Sequence, residues 1–276
     1  MNKLSKIEFH VDHNVKPKNI EAILLFLSNR NFIKKEELFN KLKNYRCSIH
    51  PRHFNKNLFI LKKFNVVDIK NGGYILSKIG IQLQNYLNFD KKIFYDLMHF
   101  LYFTSWDYGN HQSLYFSWSY KTICEILWNY KPIILNRKKL AVDLLNSAHD
   151  TFEIKDISIS HEAITGIFNW VNALTPSFIN NLRKNEIGEG RESCSTELFI
   201  VTLGYLYKMF NLNIGTPILL DTNKTEFICR ACLLNEKYFD KMLDLTIKTF
   251  GYISKDYGEW GAFLILKKEV NINNLC

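Results

Sequence analysis

Between Pro51 and Leu76 the spacing of apolar residues changes from three-and-four to two. No other feature restricts the fold as much, because a helix buries a stripe of period 3.6 whereas a strand alternates its faces. Phe54, Leu58, Leu61 and Phe64 mark the helical stripe. Pro51 suits the first position of that helix, where its missing N–H costs nothing, and Ser48 is a nearby cap candidate. Val67 and Ile69 then alternate with Asp68 and Lys70. Asn71-Gly72-Gly73 tolerates the positive φ of a tight hairpin turn, and Tyr74-Ile75-Leu76 is the returning strand.

Upstream, Pro17 opens a helix with Ile20, Ile23, Leu24 and Leu27 on one face, and Asn29-Arg30-Asn31 ends it. A short helix over residues 35–43 turns Leu38 and Leu42 inward and Lys41 and Lys43 outward. Downstream, Ser77 can cap a helix carrying Ile81, Leu83 and Leu87. The order is helix, helix, turn, helix, hairpin, helix. Residues 16–89, and above all FILKKFNVVDIKNGGYILSKIGIQL, resemble the winged helix-turn-helix family. The resemblance implies a double-stranded DNA partner, with the third helix in the major groove and the wing on the backbone or minor groove.

Charge points the same way. Residues 1–89 hold sixteen Lys or Arg and six Asp or Glu, whereas residues 90–276 hold twenty basic and twenty-one acidic side chains. The net charge of +9 therefore belongs to the N-terminal third, the pattern of a polyanion-binding face rather than of a uniformly solubilised surface. Arg52, His53, Lys56 and Asn57 lie in the first two turns of the third helix, where base edges would be met. Lys62, Lys63, Lys70 and Lys78 read as phosphate contacts.

The fold class expected is mainly α: a winged helix-turn-helix over residues 1–89, a helical middle over 90–194, and a helical unit with a terminal hairpin over 195–276. Helices are expected over 91–103, 119–128, 137–149 (Asn136 as cap, Leu140, Leu144 and Val142 inward) and 161–174. Residues 104–119, with Trp106, Gly109, Asn110, His111 and Trp118, read as a loop with aromatic anchors. Ser195 opens an apolar helix through Phe210, residues 217–220 suggest an edge strand or loose connection, and 228–234 a short helix. A helix from Glu236 to Phe250, capped by Asn235, and two strands around residues 255–259 admit a second, degenerate winged helix over about residues 195–270. Its mixed charge suits packing or dimerisation better than DNA.

No reaction can be read from the motifs. Asp221, Lys224 and Glu226 fail the spacing of a metal-dependent nuclease, since Phe227 and Ile228 follow the second acid. Glu186, Glu189, Glu192 and Glu197, with Arg191 and Cys194, fit a charged surface loop. Cys229 and Cys232 have half the ligands of a zinc site and sit in an apolar run, so buried thiols are expected. No cofactor, metal or catalytic residue is expected. The absence of a long apolar run and of a signal-peptide core argues against a membrane and for the cytoplasm. The expectation is thus a cytoplasmic DNA-binding regulator, or a DNA-recognition component of a mobile-element or defence system, able to form a homodimer or complex. A winged-helix adaptor and a metal-dependent DNA-acting enzyme are the alternatives.

Overall fold

The computed structural model describes residues 9–45, 49–108, 114–131, 133–134, 136–152, 157–181 and 186–275. Its N-terminal elements are α1 (Pro17–Phe26), α2 (Lys35–Asn44), α3 (Pro51–Lys63), β1 (Val67–Lys70), β2 (Gly73–Leu76) and α4 (Lys78–Phe89), in the expected order. Ser48 lies outside the described residues, and the cap of α3 is His50, whose ring accepts from Arg52 N. Asn71 and Gly72 both have positive φ (50° and 72°), which is the two-residue turn that matches strand twist. Ile33 adds a third, one-residue strand: its N–H and C=O bond Tyr74 at 2.9 and 2.8 Å. Ser77 caps α4 by accepting from Gly80 N.

The middle of the chain departs from expectation most clearly between residues 104 and 119. Residues 104–108 and 115–119 are helical rather than looped. They belong to α5 (Lys91–Tyr108) and α6 (Tyr115–Asn129), and Gly109, Asn110 and His111 lie outside the described residues. Trp106 and Trp118 do anchor: both pack on Phe152, and Trp118 also meets Phe9 edge-on. Burial is unbroken over residues 96–104 and 116–120, so no polar face marks these stretches as helical in the sequence. Next come β3 (Ile133–Ile134), α7 (Arg137–Thr151), α8 (His161–Val171), β4 (Ile179–Asn181) and β5 (Glu186–Ile187). Asn136 caps α7 by accepting from Lys138 N and Lys139 N. Val142, expected inward, is exposed because α7 buries only the Leu140, Ala141, Leu144 and Ala148 side. The three short strands form a sheet in the order β3-β5-β4.

The C-terminal unit contains α9 (Thr196–Met209), β6 (Ile218–Leu219), α10 (Thr222–Cys232), α11 (Phe239–Thr249), β7 (Ile253–Gly258) and β8 (Gly261–Leu266). Ser195 caps α9, and Asn235 caps a 3-10 turn that leads into α11. The hairpin is longer than expected, with only Glu259 and Trp260 outside its paired strands. The sheet order is β6-β8-β7. Helix, strand, helix, helix, strand, strand, with the first strand beside the last, is also the order of α1, Ile33, α2, α3, β1 and β2. The chain uses one topology twice.

The core is continuous, running from Phe9 to Leu275 through all three regions. Residues 9–15 are part of it: Phe9, Val11 and Val15 are buried, and the Phe9 ring packs on Tyr115, Trp118 and Phe152. The Trp170 indole donates to Val15 O (3.1 Å), and Asn169 donates to His13 O (3.0 Å). Gly166 is required there, since a Cβ would stand 1.9 Å from Val11 O. Among the described residues no helix is long and apolar enough to cross a membrane.

Candidate nucleic-acid interface

α3 is buried on two sides. Phe54, Leu58 and Leu61 face the core of their own unit, while Asn57 and Ile60 are also shut off from solvent. Residues 12–14 cover the second side: Asn57 Nδ2 donates to Asn14 O (3.4 Å) as well as to His53 O (2.6 Å). Asn57 is 0% exposed, and its Oδ1 has no hydrogen-bond partner. The expectation that Asn57 meets base edges is therefore corrected. It is a seam residue under the N-terminal segment. Lys56 is also drawn to this seam, half-buried and ion-paired with Asp12. Its charge is already matched, so it is not a free cation for a phosphate.

What remains open is a stripe of Arg52, Asn55, Phe59 and Lys62, at helical spacing and all exposed. α3 contains no carboxylate. Lys63 is half-buried at the side of the stripe, its ammonium 5.2 Å from the centre of the Phe59 ring. His53 is also half-buried. Burial is the main cause that holds its pKa below the usual histidine value, with the neighbouring His50, His13, Lys16 and Arg52 adding to it. His53 therefore resists protonation and is a hydrogen-bonding group beside the Lys16 and Arg52 cations. No local sequence pattern marks His13 or Lys16, in the segment before α1, as neighbours of α3. Asn55 and Phe59 follow from the same period, since both lie off the Phe54, Leu58 and Leu61 stripe.

At the hairpin, Lys70, Asn71 and Gly72 are exposed, as is the Ile69 side chain beside them. Lys78 is exposed in the first turn of α4. The structure thus leaves Arg52, Lys62, Lys70 and Lys78 in the open, holds His53 and Lys63 at the margin, ties Lys56 down and buries Asn57.

The other chemistry-bearing clusters are structural. Asp221 caps α10 and pairs with Lys224. Cys229 and Cys232 are buried free thiols, as are Cys124 and Cys194. The segment expected as a charged surface loop is not uniformly surface: Arg191 is 0% exposed. Its guanidinium donates to Asp96 (2.7 Å), Thr175 O, Pro176 O and Cys232 O. Burial alone would lower the Arg191 pKa, but the Asp96 carboxylate outweighs it and keeps the group charged. Nothing local in a glycine-containing polar stretch distinguishes such an arginine from a solvated one. Among the described residues no three His, Cys, Asp or Glu side chains are placed to hold a metal ion.

No family model, no curated protein and no solved structure matches this chain. Any functional reading must therefore stand on the geometry above.

Proposed function

We propose that the chain is a double-stranded DNA-binding protein whose docking element is a winged helix-turn-helix over residues 16–89. α3 enters the major groove through its open stripe. Arg52 and Asn55 reach base edges, Arg as a donor to guanine and Asn as a bidentate partner of adenine. Lys62, Lys70 and Lys78 neutralise phosphates on either side, and Gly72 lets the wing backbone come close. The observation that carries this reading is the open face of α3. It bears cations and an amide and no acid, and it belongs to the third of the chain that holds all the net charge. The function this fits is regulation, or DNA recognition on behalf of a larger assembly.

Binding of generic duplex over a range of salt tests it. Three neutralised phosphates give a log–log slope of about −3. Arg52→Glu, Lys62→Glu and Lys70→Glu together should remove binding at physiological salt while leaving the thermal midpoint in place. A salt-independent affinity, or an unchanged one in the triple variant, would instead favour a winged-helix adaptor. The exposed Phe59 and Ile69 side chains favour that second reading, since apolar side chains on the same face suit a protein partner.

A further inference from the structure

Three imidazoles gather at the first turn of α3. The His50 and His53 rings lie 5.4 Å apart, centre to centre. His13, from the segment before α1, bears on His53 as His50 does, together with Lys16 and Arg52. His13, Lys16, His50 and Arg52 are all exposed around the half-buried His53. Two of the three rings are engaged as acceptors. His50 Nδ1 accepts from Arg52 N (3.2 Å) and so caps α3. His13 Nε2 accepts from the Asn14 amide (3.0 Å). A ring nitrogen that accepts carries no proton, so protonation at either of these atoms breaks a bond the fold uses. Among the described residues the His53 ring makes no hydrogen bond, and it can take a proton without breaking one.

The free protein gives that proton no counter-charge. α3 contains no acid, and Asp12, next to His13 in the chain, is already taken by Lys56 and by the Asn14 backbone and amide. Lys16 and Arg52 oppose a further positive charge beside them. A duplex on α3 would reverse this balance. The N-terminal turns of the recognition helix are the part that meets the groove, so phosphate charge arrives beside the three rings. A phosphate oxygen also supplies the acceptor that an imidazolium N–H needs.

We propose that docking of duplex DNA on α3 is coupled to the uptake of a proton by His53, so that the protein binds DNA more tightly as the pH falls. The proposal rests on the DNA reading and adds a regulation to it. Linkage fixes the sign: the complex holds the proton more tightly than the free protein, so protonation strengthens binding, by at most tenfold per pH unit for one proton.

The test is the affinity of the intact protein for a generic duplex at fixed salt from pH 8 to pH 6, with folding checked at each pH by circular dichroism. Wild-type Kd should fall by about fivefold over that range. His53→Gln should flatten the dependence, whatever its affinity at pH 8. His149→Gln removes an exposed histidine from the last turn of α7 and should keep the wild-type slope. The proton magnetic resonance of the His53 ring should titrate at higher pH in the complex than in the free protein. A wild-type affinity that is flat or weakens as the pH falls overturns the proposal and leaves the DNA reading standing. So does a slope that survives in His53→Gln or vanishes in His149→Gln, or a His53 resonance that titrates at the same pH with and without duplex. A protein that binds no duplex at any of these pH values overturns both.

Discussion

The two ends of this chain use one arrangement of helices and strands for different surfaces. In the N-terminal unit the helix before the hairpin is α3, with an open stripe of Arg52, Asn55, Phe59 and Lys62 and no acid. In the C-terminal unit the corresponding helix is α11, with Asp240, Asp244, Lys241 and Lys248 exposed around Leu245. The first hairpin tip is Asn71-Gly72, small and close to its strands; the second carries Trp260. Topology therefore sets where a surface is displayed, and side chains decide what it meets. The units also differ in how they join α5. Arg191, which leads into α9, is fully buried against Asp96, and the other Asp96 oxygen accepts from Ser195 N (2.6 Å). The N-terminal unit is tied by Glu21 to Lys91 and Tyr95, where the lysine is 62% exposed. One joint is a dry ion pair and the other borders water.

The largest expected effect breaks the dry joint. Asp96→Ala strands the Arg191 charge in the interior and should cost about 3–5 kcal/mol, enough to unfold a marginal protein at 37 °C. Glu21→Gln keeps the shape and leaves Lys91 free to reach solvent, so its cost should be about 1 kcal/mol. Urea midpoints of the two variants measure the difference. Equal losses would mean that the two units are held alike.

A second test uses proton linkage at the same joint. His99 on α5 bonds Ala231 O of the C-terminal unit through Nε2 (2.9 Å) and Tyr120 OH through Nδ1 (2.8 Å). Burial is the main cause that lowers its pKa to about 3, helped by the Arg191 charge and opposed by the Ala231 bond. The folded state therefore resists protonation that the unfolded chain accepts near pH 6.5. Stability from this group is whole above that pH and falls as the pH drops towards 3. Between pH 6.5 and 5 the loss should be roughly 2 kcal/mol, and His99→Gln should remove that part of the slope. A wild-type stability unchanged over that interval would show that His99 is not held neutral in the fold.

What sequence reasoning could reach follows the same division. The elements of the N-terminal unit were legible because their causes are local: a stripe at Phe54, Leu58 and Leu61, a proline at position 51, and an asparagine and glycine at the turn. Asn57 was misread because α3 buries a second side, against residues 9–15 that arrive from outside the helix. Ile60, apolar yet off the main stripe, was the one local sign of it. Lys56 and Arg191 were misread for a related reason. A charged side chain looks the same in sequence whether water or a distant carboxylate receives it, and Asp12 and Asp96 lie 44 and 95 residues away. The three-strand β3-β5-β4 sheet was missed because strands of two or three residues leave no alternation to read.

The smallest expected effect bears on the interface itself. Lys56 and Lys62 sit on the same helix and would count equally in any tally of basic residues. Lys62 is exposed with no acid on it, whereas Lys56 holds Asp12 at the seam. Removing Lys56 alone would leave Asp12 unmatched and lower DNA affinity for the wrong reason, so the pair must be removed together. Lys56→Met with Asp12→Asn changes no net charge. It should leave duplex affinity within about twofold of wild type and cost under about 1 kcal/mol of stability, as half-exposed pairs do. Lys62→Met should weaken binding by about tenfold at most, uniformly across sequences, and reduce the salt slope by about one. If the double variant loses as much as Lys62→Met, then Lys56 leaves Asp12 when DNA arrives. The seam would then open on binding, and the docking face of α3 would be wider than the open stripe.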